Sequence, residues 1–331
     1  MYPPFNGPLF IIGMPRSGTK LLRALLNNHS QIAIPPYETE ILPYWFSRWE
    51  EFGDLRNFYH FEKFYHHTAK GSFFYYMQKH RKYIPSATEW FNACKGEGTI
   101  ADVFEALIRL ETHATDDMIW GDKSPSYIRH IPLLKKLYPQ AKIIFIVRDV
   151  RDYCLSINKA WSKNIMRAAQ RWADDVSLAR QNLSSIPQDS LELRFEDLLQ
   201  APKDFLREIC KFLDVNFEKE MLVLTRPSEI IGDAKGHVNI VVNNKEKWRK
   251  SMPAKQVKKI EQLCRDELFY YNYPVEYKGR IKRLSSLQMK WFKILDGLNL
   301  ILNNNDRQGV WHNLFFHIRY IRTSGNNIKF G

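Results

Sequence analysis

Residues 8–20 read Pro-Leu-Phe-Ile-Ile-Gly-Met-Pro-Arg-Ser-Gly-Thr-Lys, and this stretch decides the fold class. Residues 8–13 are apolar and end in glycine, which is typical of a strand buried in a parallel sheet. After the second glycine, leucines recur at helical spacing over 21–26. A strand, a glycine-containing loop and a helix form the opening unit of a nucleotide-binding α/β fold.

The same alternation of strands and helices continues along the chain. The sequence predicts further strands over 118–121, 142–147 and 190–195. It predicts helices over 127–138, from about 152, and over 165–183, 202–213 and 253–268. Because strands that alternate with helices pair in parallel, we expect an α/β fold, a three-layer α/β/α sandwich with a parallel sheet.

Residues 41–91 have a different composition. They hold 17 of the 46 aromatic residues and show no persistent alternation of apolar and polar residues. We therefore expect a helical insertion that covers the edge of the sheet. On this basis residues 1–277 form one α/β domain, and residues 278–331 form a basic tail with amphipathic helices. The tail holds ten Lys and Arg residues against two Asp, which is a net charge of +8.

The composition of the whole chain excludes several classes of protein. With 44 % hydrophobic and 26 % charged residues, the 331-residue chain is neither disordered nor a polytopic membrane protein. Its four cysteines form no CxxC pair, so neither a zinc site nor a disulfide framework is indicated. No signal peptide is recognisable, and we expect a cytoplasmic protein. The net charge of +13 calls for an anionic partner: a nucleic acid, a membrane surface or a phosphorylated small molecule.

The loop after the first strand is a candidate phosphate-binding loop. Residues 13–20 keep the glycine spacing of the pattern Gly-x4-Gly-Lys-Ser/Thr. Thr19 stands at the lysine position, however, and Lys20 stands where a hydroxyl would bind Mg²⁺. Such a loop still points backbone N–H groups at an anion, so we predict phosphate binding without Mg²⁺-dependent phosphoryl transfer. The predicted binding residues are Arg16, Ser17, Gly18, Thr19 and Lys20.

Two segments give the chain a recognisable family resemblance. Residues 15–19, Pro-Arg-Ser-Gly-Thr, resemble the 5′-phosphosulfate loop of sulfotransferases that use 3′-phosphoadenosine 5′-phosphosulfate (PAPS). Residues 147–156 resemble the 3′-phosphate motif of that family, in which a serine follows an arginine by eight residues, as Ser156 follows Arg148 here. The resemblance implies a P-loop NTPase-like fold, PAPS as the sulfonate donor, and binding of its 3′-phosphate by Arg148 and Ser156.

Three further segments resemble motifs of this family in the expected order. Lys123-Ser-Pro resembles the lysine motif, whose ammonium group stabilises the transferring sulfuryl group. Residues 193–198, Leu-Arg-Phe-Glu-Asp-Leu, resemble the element near the adenine, with Phe195 in place of the usual tyrosine. Residues 246–250 resemble the basic element that closes over the phosphates, which implies that Lys247 binds PAPS.

The catalytic base is expected shortly after the first helix. Residues 35–39, Pro-Pro-Tyr-Glu-Thr, resemble the Glu-Thr pair of the tyrosylprotein and related branches of the family. The resemblance implies that Glu38 accepts the proton of the acceptor hydroxyl, with Glu40 as the alternative. Cationic side chains, Lys123 among them, would neutralise the charge that develops in the reaction, so no metal ion is expected.

Other interpretations remain open at this point. Arg148 could belong to a surface ion-pair cluster with Asp149 and Asp152. A P-loop kinase would need a hydroxyl where Lys20 stands. A non-enzymatic basic module that binds nucleic acid or a membrane would not need the ordered motifs. The ordered motifs favour the family resemblance over these alternatives, and we expect a PAPS-dependent sulfotransferase that has no nucleic-acid partner.

No motif identifies the acceptor. Aromatic faces stack on sugar rings, so the insertion over 41–91 favours a glycan or a glycolipid, with protein tyrosine or a small alcohol as alternatives. The basic tail lies outside every motif and is either a solvated surface or a membrane contact. We expect that the tail places the protein at the inner face of the membrane that carries the acceptor.

Overall fold

A computed structural model describes residues 4–81, 83–228 and 235–302 of the chain. The strands are β1 Leu9–Gly13, β2 Ile32–Ala33, β3 Ile119–Lys123, β4 Lys142–Val147 and β5 Ser190–Arg194. The α-helices are α1 Thr19–Leu26, α2 Leu42–Arg48, α3 Phe58–Thr68, α4 Ser72–Arg81, α5 Ala87–Ala93, α6 Ile100–Thr112, α7 Ile131–Leu137, α8 Val150–Trp161, α9 Ile165–Leu183, α10 Phe195–Gln200, α11 Pro202–Leu213, α12 Trp248–Ser251, α13 Ala254–Tyr270 and α14 Ser286–Leu302. Short 3-10 helices span Trp49–Phe52, Pro125–Arg129 and Lys219–Leu222.

The strands form one parallel sheet in the order β2-β3-β1-β4-β5. The central strand is β1, in which Leu9 is in register with Gly121 of β3 and with Lys142 of β4. Every residue of β1 is buried. A strand with paired neighbours on both sides and covered faces has no solvent-facing position, which explains the continuous apolar sequence.

Side chains of β1 alternate between two apolar cores. Leu9 and Ile11 pack with residues of α1, α10 and α11 on one face of the sheet. Phe10 and Ile12 pack with residues of α8, α9, α13 and the insertion on the other face. Helices on both faces of a parallel sheet make a three-layer α/β/α sandwich, so the predicted fold class is confirmed.

The helices α2 to α5 lie in the aromatic-rich segment, and α2 reaches strand β3 through α6. Trp45 of α2 lies 6.1 Å from Phe104 of α6, measured between ring centroids, and Phe104 lies 6.0 Å from Trp120 of β3. The edge beside β3 is occupied by β2. A strand of two residues leaves no periodic pattern in the sequence, which is why β2 was not predicted.

Two strands end at residues other than the predicted ones, and both differences concern the site. Strand β3 continues to Lys123, two residues beyond the predicted end, so Asp122 and Lys123 are buried members of the sheet. Phe195 begins α10, whereas the sequence placed it at the end of β5. Lys123, at the end of β3, and Phe195, directly after β5, therefore both lie where a strand ends and the chain turns.

Three helices also differ from the prediction, among them α13, which spans Ala254–Tyr270 instead of 253–268. The helix predicted over 127–138 is divided into a 3-10 helix and α7, because Pro132 lies in the first turn of α7, where a missing N–H costs no hydrogen bond. Helix α8 begins at Val150, earlier than the predicted 152, because the side chain of Asp149 accepts a hydrogen bond from the N–H of Arg151.

The tail is described in part. Helix α14 begins with a capping box: Ser285 Oγ accepts from the N–H of Gln288 at 3.2 Å, and Gln288 Oε1 accepts from the N–H of Ser285 at 2.9 Å. Residues 303–331 of the predicted tail lie outside the described residues. Within the described ranges, no helix is both long and apolar enough to cross a membrane.

Candidate active site

The candidate site lies at the carboxyl end of the sheet, where ligands bind in open α/β folds. The loop 14–18 follows β1, and Lys123 is the last residue of β3. Arg148 follows β4, and Phe195 follows β5. Because all strands run in parallel, these four positions lie at the same edge of the sheet.

The loop after β1 packs tightly against Phe195. Gly18 has a φ of 92°, in the left-handed region that favours glycine. A Cβ on Gly18 would lie 2.2 Å from Cδ2 of Phe195, so a larger residue fits only if the ring moves. Ser17 and Thr19 on either side are buried, and Ser17 Oγ has no hydrogen-bond partner among the described residues.

Arg148 joins this loop to a distant part of the chain. Its Nη1 donates to the carbonyl oxygen of Arg16 at 2.9 Å, and its Nη2 donates to that of Asn244 at 2.9 Å. The guanidinium lies over the ring of Phe195, 4.7 Å from the centroid. Burial lowers the pKa of Arg148, because the charged form loses hydration. Its buried Nε has no partner among the described residues, so one donor is left for a ligand.

Ser156 lies beside the loop although it comes 140 residues later. Arg16 Nε donates to Ser156 Oγ at 3.2 Å. Helix α8 begins two residues after Arg148, and Ser156 in its second turn lines the same cavity as Arg148. The residues that the sequence assigned to two different phosphates are therefore brought together.

The surface ion-pair interpretation of Arg148 does not hold. Arg148 is buried, and Asp149 instead pairs with Arg151, with 2.6 Å between Asp149 Oδ2 and Arg151 Nη2. Asp152 Oδ1 accepts a hydrogen bond from the N–H of Trp248 at 3.0 Å. Both acids thus support the fold around α8.

A cavity of about 240 Å³ opens among these groups. The predicted residues that line it are Arg16, Gly18, Arg148, Ser156, Phe195 and Lys247. Lys247 Nζ donates to Asn244 Oδ1 at 2.7 Å, which links Lys247 to Arg148 through Asn244. Asn244 and His237 also line the cavity, and no motif in the sequence pointed to either of them.

The two predicted catalytic residues form an ion pair that does not line this cavity. Lys123 Nζ lies 2.5 Å from Glu38 Oε1. The side chain of Lys123 is fully buried, whereas that of Glu38 is 34 % exposed. Burial lowers the pKa of Lys123, and the positive charges of Lys20 and Arg23 lower it further. The carboxylate of Glu38 acts in the opposite direction and raises the pKa of Lys123.

Helix α1 connects the two groups of residues. The loop at its start lines the cavity, while Lys20 and Arg23 in its first turns face the Glu38–Lys123 pair. Arg23 was not predicted, because its position in a leucine-rich helix gave no signal. Its Nε is buried without a hydrogen-bond partner among the described residues. Burial, followed by the charge of Arg226, lowers the pKa of Arg23 to about 10.

Buried hydrogen bonds hold the turn that carries Glu38. Ser124 Oγ accepts from the N–H of Thr39 at 3.1 Å and from the N–H of Glu40 at 3.3 Å. Thr39 Oγ1 donates to Asp122 Oδ2 at 2.9 Å. Burial raises the pKa of Asp122 to about 7. Since these bonds join the turn to the end of β3, they fix Glu38 relative to Lys123.

An aromatic stack stands next to Glu38. Tyr37 lies 6.0 Å from Tyr76 and 5.4 Å from His80, and both pairs are nearly parallel. Burial raises the pKa of Tyr76, and the charges of Glu38 and Glu40 raise it further. The sequence marked this segment as aromatic but could not show which rings reach the site. We call this set, Tyr37, Tyr76 and His80, the aromatic wall.

Cationic side chains are concentrated at this end of the sheet. The predicted ones are Arg16, Lys20, Lys123, Arg148 and Lys247. Such a set favours an anionic ligand. The described part of the chain contains no group of three or more His, Cys, Asp or Glu side chains placed to hold a metal ion.

The fold is that of a P-loop-like α/β protein with a basic pocket at the carboxyl end of its sheet. Residues 8–219 match the model of the sulfotransferase family, which is more than half of the chain. The chain belongs to the sulfotransferase family, as the sequence motifs predicted.

Individual relatives agree with this assignment. A sulfotransferase domain from the curacin biosynthetic pathway has a TM-score of 0.55 at 21 % identity, covering 82 % of this chain and 100 % of that one. The sulfotransferase domain of the Synechococcus PCC 7002 olefin synthase has a TM-score of 0.53 at 26 % identity, covering 82 % and 98 %. Protein-tyrosine sulfotransferase A of Caenorhabditis elegans is 23 % identical over 233 residues, which are 65 % of this chain and 51 % of that protein. The chain thus spans about half the length of this curated relative.

Proposed function

We propose that this sulfotransferase takes its sulfonate group from PAPS. The observation that carries the proposal is the cavity of about 240 Å³ in which Arg16, Arg148, Ser156 and Phe195 meet. Two phosphates and an adenine need cations, hydroxyls and an aromatic face, and the cavity supplies all three. Arg148 Nε has no hydrogen-bond partner among the described residues, which fits an anionic ligand, since buried polar atoms are normally hydrogen-bonded.

Within this proposal Arg148 and Ser156 hold the 3′-phosphate, and residues 16–20 hold the 5′-phosphosulfate. When bound, PAPS supplies an activated sulfonate: the acceptor oxygen bonds to sulfur as the bond from sulfur to the phosphate oxygen breaks, which leaves adenosine 3′,5′-bisphosphate (PAP). Lys247 and Asn244 contribute from the segment that borders the cavity on its other side.

Glu38 is the proposed base. Its exposed carboxylate edge can take the proton of an acceptor hydroxyl, while Lys123 holds the other side of the group at 2.5 Å. The contact with Lys123 favours Glu38 over Glu40. Lys123 is buried and positively charged at the end of β3, where it can also stabilise negative charge that develops on the transferring group.

The aromatic wall is the proposed acceptor surface. It adjoins Glu38 through Tyr37 and offers parallel ring faces. We propose a tyrosine hydroxyl of a protein as the acceptor, because relatives such as the C. elegans protein are named protein-tyrosine sulfotransferases. The glycan or glycolipid expected from the sequence is the second candidate, since the same ring faces can stack on sugars.

A transfer assay with radiolabelled PAPS tests the base and the acceptor together. The acceptors are a tyrosine-containing acidic peptide, the same peptide with phenylalanine, and an oligosaccharide. We expect label on the tyrosine peptide only. Glu38→Gln should lower the rate by about 10²- to 10⁴-fold, because the proton acceptor is lost, while PAP binds with unchanged affinity, because Glu38 does not line the cavity.

Glu40→Gln is the matched control and should keep most of the activity. Label on the oligosaccharide alone would replace the proposed acceptor by the carbohydrate. Full activity of Glu38→Gln together with loss in Glu40→Gln would move the base to Glu40.

A further inference from the structure

Among the described residues, the contacts that fix helix α14 to the domain lie on one side of the helix. Asp296 Oδ2 pairs with Arg167 Nη1 at 2.7 Å, and Asp296 Oδ1 accepts from the N–H of Asn164 at 2.6 Å. Asn299 Nδ2 donates to the carbonyl oxygen of Ser162 at 3.2 Å. These contacts hold the helix against the end of α8 and the start of α9.

The opposite side of α14 exposes a row of large apolar side chains. Leu287, Trp291, Ile294 and Leu298 are 78, 58, 55 and 50 % exposed. Their spacing of four, three and four residues places them on one face of the helix. Asp296 follows Leu287 by nine residues, which is about two and a half turns of helix. Asp296 therefore lies on the side of the helix opposite Leu287, and the apolar face points away from the anchored side. We call these four residues the α14 stripe.

The surroundings of the α14 stripe are positively charged. Between residues 278 and 302 the basic residues are Lys278, Arg280, Lys282, Arg283, Lys290 and Lys293, of which Arg283 pairs with Asp174 at 3.2 Å. The single acid of this segment, Asp296, is already paired with Arg167 on the anchored side. A helix with an exposed apolar stripe, a tryptophan within it and basic residues around it has the features of helices that lie in a membrane interface.

We propose that α14 docks the protein on an anionic lipid surface. The α14 stripe enters the region between headgroups and acyl chains, and the basic residues contact the lipid phosphates. The helix lies in the plane of the membrane, because its anchored side remains on α9. This inference concerns a surface outside the candidate active site and does not depend on the proposed transfer reaction.

Charge argues against the other occupants of the α14 stripe. A second copy of this chain would bring two basic segments together, which is electrostatically unfavourable. Residues 303–331 carry four Lys and Arg residues against one Asp, so they too have the same sign of charge. An anionic bilayer matches both the apolar stripe and the positive charge.

Vesicle sedimentation of the full-length protein tests the proposal. The vesicles are equal parts phosphatidylglycerol and phosphatidylcholine, or phosphatidylcholine alone. We expect binding to the anionic vesicles, weakening as salt is added, and little binding to the neutral ones. The double variant Trp291→Glu with Ile294→Glu should lower the partition coefficient by about tenfold or more.

Phe269→Glu is the matched control, because Phe269 is 78 % exposed on α13 and lies outside the stripe. It should bind vesicles as the wild type does, and all variants should melt at the wild-type temperature. Failure of the wild type to bind, or undiminished binding by the double variant, overturns the proposal. Loss of binding on deletion of residues 303–331 alone would assign the contact to that segment. A wild-type dimer that the double variant breaks, without vesicle binding, would make the α14 stripe a contact between copies.

Discussion

Gly18 lines the cavity and lies against the ring of Phe195. The backbone of Gly18 has a left-handed conformation, which disfavours residues with a side chain. The ring of Phe195 also occupies the place that a Cβ on Gly18 would take. The loop and the aromatic face that follows β5 can therefore touch, and the cavity forms where they meet. A substitution of Gly18 therefore strains the backbone and displaces the ring of Phe195.

Gly18→Ala should destabilise the fold and weaken PAP binding. The left-handed backbone costs alanine about 1–2 kcal/mol, and displacement of Phe195 adds about 1–3 kcal/mol. Gly96→Ala is the matched control, since Gly96 also has positive φ but has no atom within 4 Å of the place that a methyl group would take. Urea unfolding and calorimetric titration with PAP measure both effects. Equal losses in the two variants would show that the contact with Phe195 is unimportant.

Asp122 should make stability depend on pH. Burial raises its pKa to about 7, so the folded protein keeps a proton that the unfolded chain releases near pH 4. The folded state therefore loses stability as pH rises from about 4 to about 7, by up to about 4 kcal/mol from this group. The charge of Lys123 lowers the pKa of Asp122, and the charge of Glu38 raises it.

Asp122→Asn should flatten this part of the stability profile, because the amide keeps an acceptor for Thr39 and does not titrate in this range. Denaturant unfolding at several pH values is the measurement. Asp116→Asn, at an exposed position, should leave the profile unchanged. An unchanged slope in Asp122→Asn would mean that other groups cause the pH dependence.

The sequence predicted individual site residues only where a local motif exists. Arg16 and Arg148 follow recognisable strands, and the structure places them in contact. The roles assigned to them remain predictions. Asn244 and Arg23 could not be found in this way, because their place in the site results from contacts between segments far apart in the chain.

At the scale of secondary-structure elements, the turn from β4 into α8 carries two arginines with different tasks. Arg148 faces the cavity. Arg151 is fully buried, pairs with Asp149 and Glu261, and lies 3.9 Å from the centroid of the Trp248 ring. It thereby joins α8 to α12 and α13.

Substitution of the two arginines should separate stability from binding. Arg151→Met leaves two buried carboxylates unpaired and should lower the free energy of unfolding by about 3–5 kcal/mol. Arg148→Lys keeps the charge but loses the planar guanidinium, which can donate two parallel hydrogen bonds to a phosphate. It should weaken PAP binding by roughly tenfold to a hundredfold and lower the free energy of unfolding less than Arg151→Met does. Urea unfolding and PAP titration of both variants give the comparison. Unaltered PAP affinity in Arg148→Lys would remove Arg148 from the binding site.

Elements with strong periodicity were predicted well. Strand β4 and helix α9 have the predicted bounds, because a β-branched run and a long amphipathic pattern are local signals. The two-residue β2 was missed, and α7 was joined to the preceding 3-10 helix, because the tertiary context decides such short elements. The extra residues of β3 matter most, since they place Lys123 in the sheet.

At the scale of the whole molecule, the net charge of +13 divides between two regions. One group of cations lines or adjoins the cavity at the carboxyl end of the sheet. The tail, with +8, lies outside the region that matches the family. Its described part, residues 278–302, includes α14, for which we propose an anionic lipid surface.

Thermal unfolding of the full-length protein with PAP, with ATP and Mg²⁺, or with short DNA tests the central claim most directly. PAP at about 100 times its Kd stabilises a protein that binds it by about 2.7 kcal/mol. We predict that PAP raises Tm by several degrees and that ATP with Mg²⁺ and DNA have much smaller effects. Protection by ATP with Mg²⁺ or by DNA, without protection by PAP, would contradict the assignment of the cavity to PAPS.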